Sequence, residues 1–142
     1  IVDLFAGCGT LSLPLLDNIA NLLAVEQSED ALAALKFGVD AAGIGGRVKT
    51  ASRNLFDAPL MPDELEGFDM AILDPPRSGA AAQCQMLAQS GIATIAMVSC
   101  NPSSFARDAA ILTESGFQLE WVQVIDQFSF SHHLELIGAF RR

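Results

Sequence analysis

The stretch that decides the fold is "IVDLFAGCGTLSLPLLDNIANLLAVE", residues 1–26. "IVDLF" is apolar and short enough to be a strand. It runs into a G-x-G turn at Gly7 and Gly9, and "LSLPLLDNI" then reads as a helix. "NLLAVE" reads as a second strand that ends on a carboxylate, Glu26. A strand, a glycine turn, a helix and a second strand form the opening unit of a parallel sheet.

The same alternation continues along the chain. "SEDALAALKFGVDAAG" (28–43) predicts a helix, with Ser28 as N-cap, Glu29 and Asp30 at the positive end of the dipole, and Gly43 as the stop. "RVKTAS" is a third strand, "FDMAILD" a fourth and "IATIAMVS" a fifth. "AAAQCQMLAQSG" and "SSFARDAAILTESG" read as helices, the second capped by Ser103 or Ser104 and closed by Gly116. "FQLEWVQVID" and "HHLELIGAF" are two strands with no helix between them, expected to pair antiparallel at one edge. The expectation is one α/β domain: a mostly parallel Rossmann-like sheet, helices on both faces and an antiparallel C-terminal edge strand. This pattern resembles the class I methyltransferase sheet.

Bulk properties narrow the function classes. The chain has 142 residues, half of them hydrophobic, and a formal net charge of −9. An acidic domain does not attract nucleic acid by its overall field. No stretch approaches the roughly 18 apolar residues of a membrane span. Three cysteines, Cys8, Cys84 and Cys100, include no C-x-x-C pair, so neither a disulfide framework nor a metal site is expected. Reduced thiols and a cytoplasmic location are the corresponding expectation. The chain begins inside an apparent strand without Met, which reads as a piece of a longer protein.

Three features carry chemistry. The glycines permit positive φ and let a ligand approach the backbone, and Glu26 can accept the ribose hydroxyls of an adenosine. A dinucleotide fold wants a third glycine where this chain has Ser12. S-adenosylmethionine has no pyrophosphate and does not need it, so the loop leans toward that cofactor. "ILDPPRSG" puts Asp74 at the carboxyl end of a central strand, with Pro75 and Pro76 stiffening the exit. Arg77 there could pair with Asp74 or meet a phosphate. "VSCNPSSF" puts Cys100 at the end of the next strand, facing the same cleft. A thiol near a helix N-terminus can have a lowered pKa. Free cysteines are usually small buried hydrophobes, and Cys8 and Cys84 are expected to be so.

"DLFAGCGTLSLPL", "LDPPRSG", "SCNPSSFARD" and "DQFSFSHHLE" resemble, in order and spacing, the successive motifs of the RNA uracil-5 methyltransferases. The resemblance runs from Ile1 to Glu135. It implies methyl transfer from S-adenosylmethionine to carbon 5 of a uridine in tRNA or rRNA, with Cys100 as nucleophile and Glu135 as base. It implies that Phe5, Gly7, Gly9, Thr10, Glu26, Asn54 and Asp74 hold the cofactor. His133 matches a histidine just before the base. The adjacent His132 and His133 would point to opposite faces of a strand, which argues against a metal. Ser129 and Phe130 depart from the family, which often has Pro and a polar residue there. Many members also carry an N-terminal RNA-binding barrel, and some carry iron–sulfur cysteines. This acidic piece is therefore expected to bind RNA poorly by itself.

Two other readings fit parts of the pattern. An amino-group methyltransferase using the "DPPR" loop would need neither Cys100 nor Glu135. A non-catalytic nucleotide-binding module or a dehydrogenase domain would use the glycine loop alone.

Overall fold

The computed structural model describes residues 1–126, 130 and 134–142. Ser129, His132 and His133 lie outside the described residues. The strands are β1 (Val2–Leu4), β2 (Leu22–Glu26), β3 (Val48–Ser52), β4 (Met70–Leu73), β5 (Thr94–Ser99), β6 (Gln118–Ile125) and β7 (Glu135–Arg141). The α-helices are α1 (Glu29–Ala41), α2 (Ala81–Gln89) and α3 (Pro102–Glu114). One sheet holds all seven strands in the order β3-β2-β1-β4-β5-β7-β6. Strands β1 to β5 pair in parallel, and β7 runs antiparallel to both its neighbours. The Rossmann-like class I architecture expected from the sequence is the one observed. The antiparallel strand β7 sits between β5 and β6, which leaves β6 at the edge.

Most helix ends follow local chemistry. Ser28 caps α1 by accepting from the Ala31 N–H at 3.3 Å. Gly43, at φ +69°, ends α1. Its N–H reaches Asp40 O, and the Ile44 N–H reaches Val39 O, which satisfies the orphan carbonyls. Two expectations need correction. The N-cap of α3 is Asn101, whose side chain accepts from the Ser103 N–H at 3.0 Å, with Pro102 in the first turn. The helix expected after the glycine loop is only a 3-10 helix, Leu13–Asp17. Pro14 has no N–H to give to Thr10 O, and Leu15 to Ser12 and Asn18 to Leu15 are bonds of the tighter, three-residue spacing. Arg47 then takes the Leu16, Ile19 and Ala20 carbonyls.

The core is divided by the sheet. The larger part gathers Val2, Leu4, Leu73, Ile95, Met97, Leu136 and Phe140 against Cys84 and Leu87 of α2 and Phe105, Ala109 and Leu112 of α3. On the other face Ala24 packs with Leu35 and Val39 of α1. Gly138 on β7 lies directly under the Phe105 ring: an added Cβ would stand 2.7 Å from Phe105 Cζ. Gly138→Ala should therefore overpack this contact and cost about 1–3 kcal/mol. Urea unfolding should show a lower midpoint with an unchanged slope.

Candidate functional site

The strand order reverses between β1 and β4, and a cleft opens outside the carboxyl ends at such a switch point. The chain exits of β1, β4 and β5 and the end of β2 all lie on this rim. Side chains alternate across a strand, so register decides which ones share a face. Asp3 pairs with Ala24 and Ile72, Ile72 with Ala96, and Val98 with Ile137. Counting on by twos puts Phe5, Glu26, Asp74, Cys100 and Glu135 on one face, opposite α2 and α3. Ser99 pairs with Leu136, the last pair of the β5–β7 ladder. One step further, Cys100 stands across from Glu135. Glu135 begins β7 and still reaches the carboxyl rim because that strand runs the opposite way.

The glycine loop is built on a backbone twist. Phe5 has φ +64°, unusual for a bulky residue, and Gly7 and Gly9 follow at +53° and +85°. Glu26 holds this twist. Its Oε2 accepts from the Gly7 N–H at 3.1 Å, and its Oε1 from the Gln27 and Ser28 N–H groups at 2.8 and 2.9 Å. A carboxylate offers about four acceptor sites, so one remains open to a ribose hydroxyl. Thr10 is exposed, with its Oγ1 3.4 Å from Cys8 Sγ. Cys84 is buried as expected, but Cys8 is exposed, because the left-handed glycines on either side turn it outward.

Asn54 lines the cleft, yet its amide serves its own loop. Oδ1 accepts from the Phe56 N–H at 3.0 Å, and Nδ2 donates to Asp57 at 2.6 Å. The turn brings the Phe56 ring to 5.4 Å from that of Phe5. Gln83, fully buried on α2, holds the far end of this loop. It accepts from the Leu60 N–H at 2.8 Å and donates to Leu60 O at 3.1 Å. The sequence reading did not single out Phe56 or Gln83, since neither lies in a motif and only loop closure makes them part of the site.

Asp74 follows β4, its N–H extending the ladder to Leu4 O at 3.3 Å. Partial burial, and then the neighbouring Glu135 carboxylate, push its pKa above the ordinary carboxylate value. The Glu135 effect places both carboxylates in one field. Arg77 is exposed and makes no ion pair with Asp74. The loop after Pro76 is fastened to α3. Asn101 Nδ2 donates to Arg77 O at 2.9 Å, and Arg107 Nη2 to Ser78 O at 2.8 Å. The Ala80 N–H donates to the buried Asp108 carboxylate at 2.6 Å, and Asp108 also takes the Arg107 guanidinium at 2.7 Å. Gly79 is needed here: it has φ +77°, and an added Cβ would stand 2.9 Å from Ser104 Cβ. The motif that carries Cys100 thus also grips the loop that carries Asp74. Cys100 itself is half-buried, one residue before the cap of α3.

Two recesses meet at Phe5 and Asp74. One, of about 240 Å³, is lined by Phe5, Glu26, Asn54, Phe56, Asp74 and Pro75, among others. The other, of about 180 Å³, lies over the glycine loop against Asp3, Gly7, Cys8, Thr10 and Asp74. An aromatic pair beside a carboxylate suits an adenosine, and the loop recess suits a short polar tail. The residues therefore fit S-adenosylmethionine. Among the described residues no group of three or more His, Cys, Asp and Glu is disposed to hold a metal. No helix among them is long and apolar enough to cross a membrane.

Comparison with known proteins bears on this arrangement. The family model described as tRNA (Uracil-5-)-methyltransferase matches residues 60–140. A protein of Caulobacter vibrioides described as an uncharacterized RNA methyltransferase is 40% identical over 142 residues, all of this chain and 34% of its own length. A 23S rRNA (uracil(1939)-C(5))-methyltransferase of Alteromonas naphthalenivorans is 36% identical over 143 residues, 30% of its length. The chain thus spans about a third of the length of the curated relatives it matches. Among solved structures, the Pyrococcus abyssi tRNA (uracil-54, C5)-methyltransferase, in complex with S-adenosyl-L-homocysteine, superposes with a TM-score of 0.82 at 25% identity. That match covers 98% of this chain and 33% of the Pyrococcus one.

The α3 clamp has a measurable consequence. Asp108→Ala leaves the Ala80 N–H without its acceptor and the Arg107 guanidinium with only Ser78 O, and a hydrogen bond to a charged group is worth about 1.5–3 kcal/mol. Equilibrium unfolding should register a loss of that size, whereas Arg77→Ala, at an exposed side chain, should change stability by less than about 0.5 kcal/mol.

Proposed function

The chain belongs to the tRNA (Uracil-5-)-methyltransferase family, and we propose that the protein methylates carbon 5 of a uridine in RNA through a transient bond between Cys100 and carbon 6 of the base. The observation that carries this reading is the register of β7, which stands Glu135 across from Cys100 with Asp74 on the same face. A thiol and a carboxylate on one cleft are what carbon 5 chemistry requires. A nucleobase amino group would require neither.

Carbon 5 of uracil is a weak nucleophile. The Cys100 thiolate adds to carbon 6, forming the S–C6 bond and moving an electron pair onto the C5–C4–O4 enolate. S-adenosylmethionine, when bound, supplies an electrophilic methyl group for carbon 5. Glu135 then takes the proton from the methylated carbon 5. The released electron pair re-forms the C5–C6 double bond, and the S–C6 bond breaks to return the thiolate. Phe5, Gly7, Gly9, Thr10, Glu26, Asn54 and Asp74 form the cofactor site in this reading. Glu26 would meet the ribose, Phe5 and Phe56 would take the adenine, and Asp74 would serve the part of the cleft where the methyl group meets the base.

RNA is the substrate partner of the whole protein. A target base inside folded RNA must be unstacked to reach a cleft of this kind, and its phosphates call for basic surface. The net charge of −9 makes this part of the protein a poor source of that surface.

Replacement of Cys100 and Glu135 in the full-length protein separates the steps. Cys100→Ala should abolish both methyl transfer and the gel-shifted adduct with RNA containing 5-fluorouridine. Glu135→Gln should slow turnover by about 10²–10⁴-fold while the adduct with ordinary RNA accumulates. Methyl transfer that survives Cys100→Ala rules out the covalent route and favours an amino-group acceptor.

A further inference from the structure

The reaction above makes no use of Gln83, a polar side chain of α2 with no exposed surface. A carboxamide in a core is costly unless it is hydrogen-bonded, and an apolar side chain would fill the same space without that cost. Both bonds of Gln83 go to one residue. Its Oε1 accepts from the Leu60 N–H at 2.8 Å, and its Nε2 donates to Leu60 O at 3.1 Å. Two residues facing each other on antiparallel strands exchange the same pair of bonds. Here a side chain takes the place of one strand.

The sequence around Leu60 explains why it needs such a partner. In "APLMPDELE" (58–66) it stands between Pro59 and Pro62. Neither proline has an N–H, and each holds the residue before it extended, so the stretch cannot close a helix around Leu60. The same stiffness carries the hold of Gln83 toward the cleft. Only Asp57, Ala58 and Pro59 separate Leu60 from Phe56. The Ala58 N–H donates to Asn54 O at 2.9 Å, which closes the turn in which Phe56 stands. The Phe56 ring lies 5.4 Å from that of Phe5, and both line the larger recess. On the outer side of the loop Glu64 takes the Met61 N–H at 3.0 Å and Arg53 at 2.8 Å. That ion pair is partly exposed and holds weakly. The buried fork is the firmer of the two anchors.

We propose that Gln83 is a positioning residue for cofactor binding: by fixing Leu60 it holds the Phe56 ring at its distance from Phe5, so that the adenine slot exists before the cofactor arrives. This rests on S-adenosylmethionine as the cofactor. Gln83 is absent from the lining of the recess, so it acts through Leu60 and Phe56 and not by contact. A loop that must be ordered on binding takes the ordering entropy out of the affinity, and a loop already latched does not. The effect of Gln83 therefore falls on cofactor affinity, and the chemistry at Cys100 and Glu135 is left alone.

Kinetics and calorimetry on the full-length protein test this. Gln83→Met keeps the length of the side chain and removes both bonds. It should raise the KM for S-adenosylmethionine and the Kd for S-adenosylhomocysteine by about tenfold, the size of one stacking contact to a base. The kcat and the KM for RNA should stay within about twofold of wild type. A fall in kcat with an unchanged cofactor KM means a general role in stability and overturns the proposal. A double-mutant cycle with Phe56→Ala checks the route. Where Phe56 is already Ala, Gln83→Met should weaken S-adenosylhomocysteine by less than about twofold. Equal weakening in both backgrounds shows that Gln83 does not act through the ring, and also overturns the proposal. Pro59→Gly is the second variant, used where Gln83→Met folds poorly. It leaves the fork intact and loosens the link between Leu60 and Phe56, so it too should weaken S-adenosylhomocysteine, and unchanged affinity contradicts the proposal. Wild-type protein that binds no S-adenosylhomocysteine refutes the cofactor reading itself, which keeps the two failures apart.

Discussion

The site depends on the slot between β5 and β6. A parallel strand there would bring its carboxyl end to the rim, and its first residue would lie at the bottom of the sheet. Because β7 runs antiparallel, its first residue, Glu135, reaches the rim beside the residue that leaves β5. The pairing of Ser99 with Leu136 fixes more than a position. One residue of slip would turn Glu135 to the face of α2 and α3 and put Leu136 in the cleft. The packing of Leu136 and Phe140 into the main core, with Gly138 under the Phe105 ring, is what makes that slip expensive.

A second constraint joins the remaining parts. The loop after Asp74 has few contacts of its own, and α3 supplies them through Asn101, Arg107 and Asp108. One helix therefore positions the thiol at its start and the carboxylate loop along its side. Glu26 does the same for the other half of the cleft, since a single carboxylate holds the Gly7, Gln27 and Ser28 N–H groups. Both halves of the site use buried or half-buried acids to organise backbone. The acidic charge of the chain is in part spent on its own loops.

The rim also concentrates cost. Phe5 sits at positive φ, both Asp3 carboxylate oxygens are buried, and the Glu135 carboxylate adds to the cost of ionising Asp74. Such features are expected where a fold holds charge and strain ready for a ligand. Family membership, carried by residues 60–140, gives this concentration a chemical direction.

Much of this was legible in the sequence. Alternating apolar runs and helical patterns determined the α/β class, the positions of the strands, the Ser28 cap and the Gly43 stop, because these depend on residues close together in the chain. Motif order singled out Cys100, Asp74 and Glu135 for the same reason. The helix expected over "LSLPLLDNI" became a 3-10 turn, since the effect of Pro14 on the hydrogen bonds outweighed an apolar pattern that both helices share. The tertiary structure alone decided that β7 enters between β5 and β6, that Asn54 spends its amide on its own loop, and that Asp108 grips the Ala80 N–H. It alone showed that Asp3, one letter in an apolar strand, is a buried charge at the edge of a cavity. Burial, register and partner choice depend on which residues meet across long stretches of chain, and local patterning carries no record of those meetings.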